Sequence, residues 1–275
     1  MQKGIYLKIT FSTLLILCGL WIHSAKIQAT ETQPETSLLV ASGNFAPYFV
    51  DDNPATLGLF NDIFKEALAQ VGYPNVEFKS LGNEAIKRNF LIGRAEVALN
   101  WGGITPDGFF QSKYRLKFVN RVIVRKASPL ALLQDLSTMK GFKVVSFVNA
   151  TRVFGLQYEN TMKNNGYIEY EDQTITNRLF ISERFDAKVG DWLMFLWSLG
   201  LTPQQQQNMP YTALDLLEYS GSSVIYKDEV LRDKVDMQLT TMLQSGQIET
   251  ITQNWFKSMG VVPYQHQFLD VLAKK

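Results

Sequence analysis

Short apolar runs alternate with helical patterns along most of the chain. Six runs have the length of buried strands: 38–41, 76–78, 97–99, 144–148, 167–170 and 187–189. Between the first two, seven apolar residues recur at the spacing of one helix face: Leu59, Phe60, Ile63, Phe64, Ala67, Leu68 and Val71. Gly72 follows where a C-terminal cap is expected. Strands that alternate with helices in this way predict an α/β architecture with largely parallel sheets.

Two further helical stripes lie near the C-terminus. They comprise Leu231, Val235, Leu239, Met242 and Leu243, and then Ile248, Ile251, Trp255 and Phe256. Gly246 separates them, which predicts two consecutive helices whose apolar faces pack in a core rather than around a cofactor. The glutamine run at 204–207 follows Pro203, and we interpret it as a solvated loop or helix surface.

The N-terminal segment has a different character from the rest of the chain. Lys3 and Lys8 lie at the start of the chain, an apolar stretch follows at 9–22, and small and polar residues come after it. The stretch is shorter than the roughly 20 apolar residues that a membrane-spanning helix needs. This order predicts a secretory signal peptide at 1–29 and export to the periplasm.

The processing of this segment is less sharply defined by the pattern. Cleavage after Ala29 and cleavage after Ala25 both stay open. Cys18 offers an alternative, a lipid anchor, but Leu17 stands where lipoprotein processing usually needs a small side chain. We therefore expect Cys18, the only cysteine of the chain, to leave with the signal peptide.

Charge and reactive side chains exclude several classes of function. Lys and Arg total 27 against 26 for Asp and Glu, which gives no reason to expect nucleic acid or an anionic membrane surface as a partner. Without Cys18 the mature chain has no disulfide and no thiol nucleophile. The two histidines, His23 and His266, lie in the predicted signal and near the C-terminus, so neither a zinc cluster nor a histidine-based triad is expected. We expect no metal and no cofactor.

Acidic pairs are the remaining features that could support catalysis. Glu183 with Asp186, and Glu169 with Glu171, have the residue types of a general acid and base. The simpler interpretation places all four on the surface. We expect the protein not to be an enzyme.

Several short segments form a combined pattern over 38–260. They are APYF at 46–49, GLFNDI at 58–63, GRAEVAL at 93–99, ITPD at 104–107, GFKVV at 141–145, NAT at 149–151, RFDAKVGD at 184–191, and GQI through WF at 246–256. Each motif is weak alone. Their order and spacing resemble family 3 of the bacterial extracellular solute-binding proteins, which serve amino-acid uptake with ABC transporters.

The resemblance implies a type II periplasmic binding protein fold. Two α/β lobes would be joined by a two-stranded hinge, with the ligand cleft between them. Lobe 1 would comprise 38–124 plus 226–275, and lobe 2 would comprise 125–225. Small and punctuating residues at 127–129 and 219–223 suit hinges that absorb backbone rotation, or they are ordinary loops.

Three candidate binding positions follow predicted strands, where open α/β sheets bind ligands. The resemblance implies that Asp191 anchors a ligand ammonium; the alternative is an N-cap of the following helix. Thr105 would offer its hydroxyl and backbone N–H to a ligand carboxylate, or it forms a turn. Thr151 and Arg152 lie at a helix start whose N–H groups could hold a carboxylate, and Thr151 could instead be an N-cap.

Aromatic residues lie beside these positions. Trp101 is next to the Thr105 loop, and Phe45 and Tyr48 are on the first loop of lobe 1. They could wall a pocket for an apolar, ring-bearing or cationic ligand, or they pack in the core.

The sequence departs from the family at Gly108. The family has an arginine there, three residues after the threonine, that binds the ligand carboxylate with two hydrogen bonds. Lys113, Arg115 or Arg121 could supply the missing charge, although lysine does not reproduce the bidentate geometry of arginine. The expected amino-acid signature is therefore incomplete.

These observations lead to a functional hypothesis with alternatives. We expect a monomeric periplasmic protein that closes its lobes on a small polar, amino-acid-like molecule and presents it to an ABC permease or a membrane sensor. The alternative is an orphan sensory module for a peptide, an amine or an organic acid. An enzyme on the same fold is the third possibility.

Overall fold

The computed structural model describes residues 37–50, 56–163, 166–217 and 221–272. The predicted signal peptide and Cys18 lie outside the described residues. The strands are β1 (Leu38–Ser42), β2 (Val76–Ser80), β3 (Val97–Trp101), β4 (Phe110–Leu116), β5 (Asn120–Arg125), β6 (Val144–Phe147), β7 (Ile168–Tyr170), β8 (Ala187–Asp191), β9 (Tyr211–Leu214), β10 (Ser222–Tyr226) and β11 (Leu269–Val271). The predicted α/β fold class is confirmed.

The helices lie between these strands and at the end of the chain. They are α1 (Leu59–Gln70), α2 (Asn83–Leu91), α3 (Ala150–Met162), α4 (Gln173–Ile181), α5 (Trp192–Ser198), α6 (Pro203–Gln207), α7 (Glu229–Gln244) and α8 (Gln247–Met259). Short 3₁₀ helices occupy Pro129–Leu132 and Leu136–Met139. No helix in the described ranges is long and apolar enough to cross a membrane.

The strands form two sheets with a shared plan. The first has the order β11-β4-β10-β3-β1-β2 and the second the order β7-β6-β8-β5-β9. In each sheet three parallel strands meet a strand inserted antiparallel from elsewhere in the chain, β10 in the first and β5 in the second. The sheets are therefore mixed rather than largely parallel, and every parallel pair joins strands that the apolar runs predict.

The chain crosses between the sheets twice. The first crossing lies between β4 and β5, at residues 117–119, and the second lies between β9 and β10. The lobe boundaries expected from the sequence lie instead near the C-terminal ends of β5 and β10. An apolar strand has the same sequence pattern in either sheet, and only its pairing with other strands shows to which sheet it belongs. Ser128 lies beyond the first crossing, where its side chain caps the 3₁₀ helix Pro129–Leu132 by accepting from Leu130 N.

The core forms where the predicted helix faces meet the first sheet. The apolar stripe of α1 is buried, and it packs with α7 and α8. Trp255 of α8 is 1% exposed, and its indole N–H donates to Pro47 O at 2.7 Å, which ties the last helix to the loop after β1. These contacts confirm the core assignment of the C-terminal stripes except at Leu243, which is 38% exposed.

Gln206 departs from the prediction of a solvated glutamine run. Its side chain is buried, and its amide donates to Leu201 O at 2.7 Å and to Gly260 O at 2.9 Å. Its oxygen accepts from Val262 N at 3.0 Å. The composition of the run predicted solvent-exposed side chains, but these hydrogen bonds satisfy the polar atoms of the buried amide. They also connect α6 to the segment after α8.

Candidate functional site

Asp191 lies at the carboxyl end of β8 and at the start of α5. Its Oδ1 accepts from Met194 N at 2.8 Å, which makes it the N-cap of that helix. Its Oδ2 accepts from Tyr48 OH at 2.9 Å and from Val119 N at 2.6 Å. Asp191 is 3% exposed. Its hydrogen bonds join the second sheet to the loop after β1, which carries Tyr48, and to the crossing segment at 117–119.

Burial and hydrogen bonding act in opposite directions on this carboxyl. Burial raises the pKa of Asp191 above its ordinary value, although the N–H and O–H donors and the charge of Lys188 lower it in part. The pKa of Tyr48 is raised well above its ordinary value by burial and then by the neighbouring Asp191 charge. Tyr48 therefore stays protonated and donates to the carboxylate.

Tyr48 is surrounded by aromatic rings. Its ring stacks on Phe60 at 5.3 Å and on Trp255 at 5.6 Å, and it meets Phe118 edge-on at 5.0 Å between centroids. The side chain is fully buried, whereas Phe45 is half-buried against Phe118 at 5.5 Å. In this conformation Tyr48 packs in the core, and its hydroxyl donates to Asp191 and accepts from Val119 N at 3.4 Å. Phe45 keeps part of its surface accessible.

The other predicted first-sheet residues lie at the end of β3 and in the loop after it. Trp101 is 3% exposed, its ring packs on Phe90 at 5.6 Å, and its N–H donates to Ile104 O at 3.2 Å. Thr105 is half-buried and donates its hydroxyl to Gln111 Oε1 at 2.6 Å. Trp101 thus belongs to an apolar cluster, and the Thr105 hydroxyl donates its proton to a side chain of β4.

The predicted anion site at the start of α3 is filled by the protein itself. The carboxylate of Glu169 accepts from Asn149 N at 2.6 Å, from Thr151 N at 3.0 Å and from the Thr151 hydroxyl at 3.2 Å. Tyr167 OH donates to it at 2.7 Å. Burial raises the pKa of Glu169, but the donors outweigh burial and the pKa lies below its ordinary value. Arg152 is exposed on the first turn of the helix.

The basic residues near the missing clamp have partners elsewhere. Gly108 has a φ of 80°, a left-handed conformation that favours glycine. Lys113 donates to Thr240 Oγ1 at 2.9 Å on α7. Arg121 forms an ion pair with Asp215 at 3.2 Å, and Arg115 lies on β4 between β10 and β11. The structure therefore does not bring Lys113 or Arg121 to the Thr105 loop.

Three of the four acidic residues considered for catalysis have structural partners, including Glu169 at the start of α3. Asp186 Oδ2 accepts from Lys143 N at 2.8 Å, and Glu183 forms an ion pair with Arg125 at 3.7 Å. Within the described ranges, no group of three or more His, Cys, Asp or Glu side chains could hold a metal ion.

Two grooves lie away from the predicted site. One of about 730 Å³ lies between β4 and α7, and one of about 490 Å³ lies between α1 and α8. The residues that line them include none of the predicted ligand-binding positions.

The predicted site residues did not include Lys188, which lies three residues before Asp191. It is 1% exposed, and its ammonium has no hydrogen-bond partner among the described residues. Burial lowers the pKa of Lys188 to about 8, although the charge of Asp191 acts in the opposite direction. A lysine inside the buried AKVGD strand was the available sequence signal, because lysine is almost never fully buried without a partner.

Comparison with solved structures finds proteins of the same fold. The arginine third transport system periplasmic binding protein of Legionella pneumophila is 16% identical, with a TM-score of 0.61, and the match covers 80% of this chain and 99% of that one. An ancestral arginine-binding protein bound to glutamine is 20% identical, with a TM-score of 0.59 and coverage of 80% and 97%. The L-cystine solute receptor of Neisseria gonorrhoeae, in its unliganded open conformation, is 17% identical, with a TM-score of 0.58 and coverage of 82% and 95%.

These likenesses confirm the predicted type II periplasmic binding protein fold. The neighbours are amino-acid-binding proteins, the kind of protein that the ordered sequence motifs resemble. No family model and no curated protein matches the sequence.

Proposed function

We propose that this chain is a periplasmic solute-binding protein that captures a small polar, amino-acid-like ligand between its two halves. The first half is the part of the chain built on the first sheet, and the second half is the part built on the second sheet. The observation that carries the proposal is the position of Asp191. Its buried carboxylate ends the central strand of the second sheet and accepts from Tyr48 of the first half and Val119 of the crossing segment. A ligand at this junction would contact both halves and favour their closed arrangement.

Asp191 would bind the ligand ammonium, which would take the place of one hydrogen-bond donor of the protein. Tyr48 OH occupies Oδ2, so an incoming ammonium would replace that hydroxyl as the donor. Val119 N and Met194 N would keep the carboxylate oriented. The other ligand contacts would come from the remaining candidates, which are Thr105, Thr151, Arg152, Trp101, Phe45 and Tyr48.

Two observations favour a second candidate, a sensory or binding module whose ligand is not a standard amino acid. Gly108 replaces the family's carboxylate-binding arginine, and Glu169 occupies the helix start at Thr151 that would hold a carboxylate. The neighbours bind arginine, glutamine or cystine, so this chain would combine their fold with altered carboxylate recognition.

The proposed protein acts as a monomer without catalysis. It delivers its ligand to an ABC permease or to a membrane sensor. The neighbours named above are binding proteins and not enzymes, which supports this part of the proposal.

A thermal-shift screen tests the proposal directly. Residues 30–275 are unfolded, refolded to remove carried ligand, and screened against amino acids, polyamines, organic acids and short peptides. A ligand that binds only the native state stabilises it by about 2.7 kcal/mol at 100 times its Kd. We expect a saturable shift from an amine-bearing compound that disappears in Asp191→Ala.

The matched control is Asp172→Ala. Asp172 caps α4 in the same half by accepting from Thr174 N at 2.7 Å, but it is exposed. This variant should lose some stability and retain the ligand shift. Absence of a shift across the whole panel would contradict the proposed function, and an unchanged shift in Asp191→Ala would contradict the role of the anchor.

A further inference from the structure

Lys188 is a buried cation near the carboxyl end of β8. Its side chain is 1% exposed, and among the described residues no acceptor lies within hydrogen-bonding distance of its ammonium. The charge of Asp191 offsets only part of the cost of burying an ammonium without a hydrogen bond, so a methionine of similar length would be more stable here. Strongly perturbed charges of this kind concentrate at functional sites.

The local backbone makes room for this ammonium. The Lys188 side chain extends along β8 to Gly190, where an added Cβ would lie 2.6 Å from Nζ. Gly190 does not have a positive φ, so its backbone conformation does not require glycine. The missing side chain at Gly190 therefore serves to accommodate the charge at the carboxyl end of the strand.

Two long, half-buried side chains lie over this position. Gln173, the first residue of α4, has its Oε1 3.5 Å from the same Cβ position on Gly190. Its amide nitrogen lies 3.8 Å from Met194 Sδ on α5. Unbranched side chains change rotamer readily, so Gln173 and Met194 can move without unfolding either helix.

We propose that Lys188 binds the carboxylate of the captured ligand, in place of the family's arginine that Gly108 replaces. This inference rests on the proposed function and names the chemical class of its ligand, a small molecule that carries a carboxylate. The charged group has moved from the loop of the first half to the central strand of the second. A zwitterionic ligand would then find Asp191 for its ammonium and Lys188 for its carboxylate within one strand end.

Calorimetric titration with matched probes tests this subsite on residues 30–275. The probes are L-arginine, argininamide and agmatine, then L-glutamine and L-glutaminamide, and then succinate and succinamide. Within each set only the first compound carries a carboxylate. We expect binding to be confined to carboxylate-bearing probes, and Lys188→Met to weaken it at least tenfold.

Two variants separate the charge from its position. Gly190→Ala keeps the lysine but places a Cβ against Nζ, and it should also weaken binding at least tenfold. Lys140→Met removes an exposed lysine of the same half and should leave the affinity unchanged. Because Lys188→Met removes a buried charge, it should fold, and Gly190→Ala tests the same subsite independently.

The outcomes distinguish this inference from the proposed function. Equal affinity of wild type and Lys188→Met for a carboxylate probe would overturn the subsite and leave solute binding intact. Binding of the amide or decarboxylated probes as tightly as their acids would do the same. Absence of binding by every probe, and by every compound of the thermal-shift panel, would overturn both.

Discussion

The central strands β3 and β8 hold equivalent places in the two sheets. Each begins after an acidic residue whose carboxylate accepts a backbone N–H at the start of a neighbouring strand. Glu96 Oε2 accepts from Leu39 N at 2.9 Å, and Asp186 Oδ2 accepts from Lys143 N at 2.8 Å. The two halves therefore use the same local device to set the start of the strand.

The same strands carry different residue types at their second and last positions. Ala98 and Trp101 of β3 belong to an apolar cluster, whereas Lys188 and Asp191 of β8 are buried charges. One backbone plan thus presents an apolar wall in the first half and a charged pair in the second. The shared backbone plan puts the ends of β3 and β8 at equivalent places in the two sheets. Their side chains determine which half carries the polar groups.

The strongest test of this difference is Ala98→Lys, which places the lysine of β8 at the equivalent position of β3. Ala98 is fully buried in an apolar cluster with Phe90, Trp101 and Ile225. We expect a loss of about 5 kcal/mol or a failure to fold, because the charge and the added volume are both uncompensated. Urea unfolding measures it, and a loss below about 2 kcal/mol would show that both halves tolerate the charge.

Asp191→Ala tests the anionic member of the charged pair. The change removes the acceptor of three hydrogen bonds and the charge that opposes the burial of Lys188. We expect a loss of about 4 kcal/mol in urea unfolding at pH 7. In a Lys188→Met background the same substitution should cost at least about 1 kcal/mol less. Equal costs in the two backgrounds would show that the charges do not interact.

Lys188→Met tests the cationic member through pH. The pKa of Lys188 is about 8 in the folded state and 10.5 ordinarily, so below pH 8 both states are protonated and the burial cost is fully present. Between these values the unfolded state binds the extra proton, so wild type gains stability relative to Lys188→Met as pH rises, by about 3 kcal/mol. A pH-independent difference between the two proteins would indicate that the amine titrates normally.

The smallest effects should come from the shared feature of the two strands. Glu96→Ala and Asp186→Ala each remove one carboxylate that accepts a backbone N–H, and both residues are partly exposed. We expect losses of about 1 kcal/mol for each, equal within about 0.5 kcal/mol. A large inequality in urea unfolding would show that the two halves do not use this contact in the same way.

Local pattern was sufficient for the strands and helices that bury continuous apolar faces. The six predicted runs became β1, β2, β3, β6, β7 and β8, and the spaced apolar residues became α1, α7 and α8. Strands such as β4, with the sequence FQSKYRL, were missed because a strand that alternates buried and exposed residues has no apolar run. Antiparallel insertion of β5 and β10 depends on partners far along the chain.

For the site, residue types in the motifs indicated the chemistry available at the strand ends but not how it is used. The motifs identified Asp191 and Thr151 as polar residues after strands, and left cap and ligand contact both open. Contacts between distant parts of the chain make Asp191 accept from Tyr48, 143 residues away. They also place the Glu169 carboxylate on the N–H groups at the start of α3. Tertiary structure also buries Lys188 over Gly190. Residue type and spacing set which groups can donate, accept or carry charge, whereas long-range packing decides which partner reaches them and how much water remains.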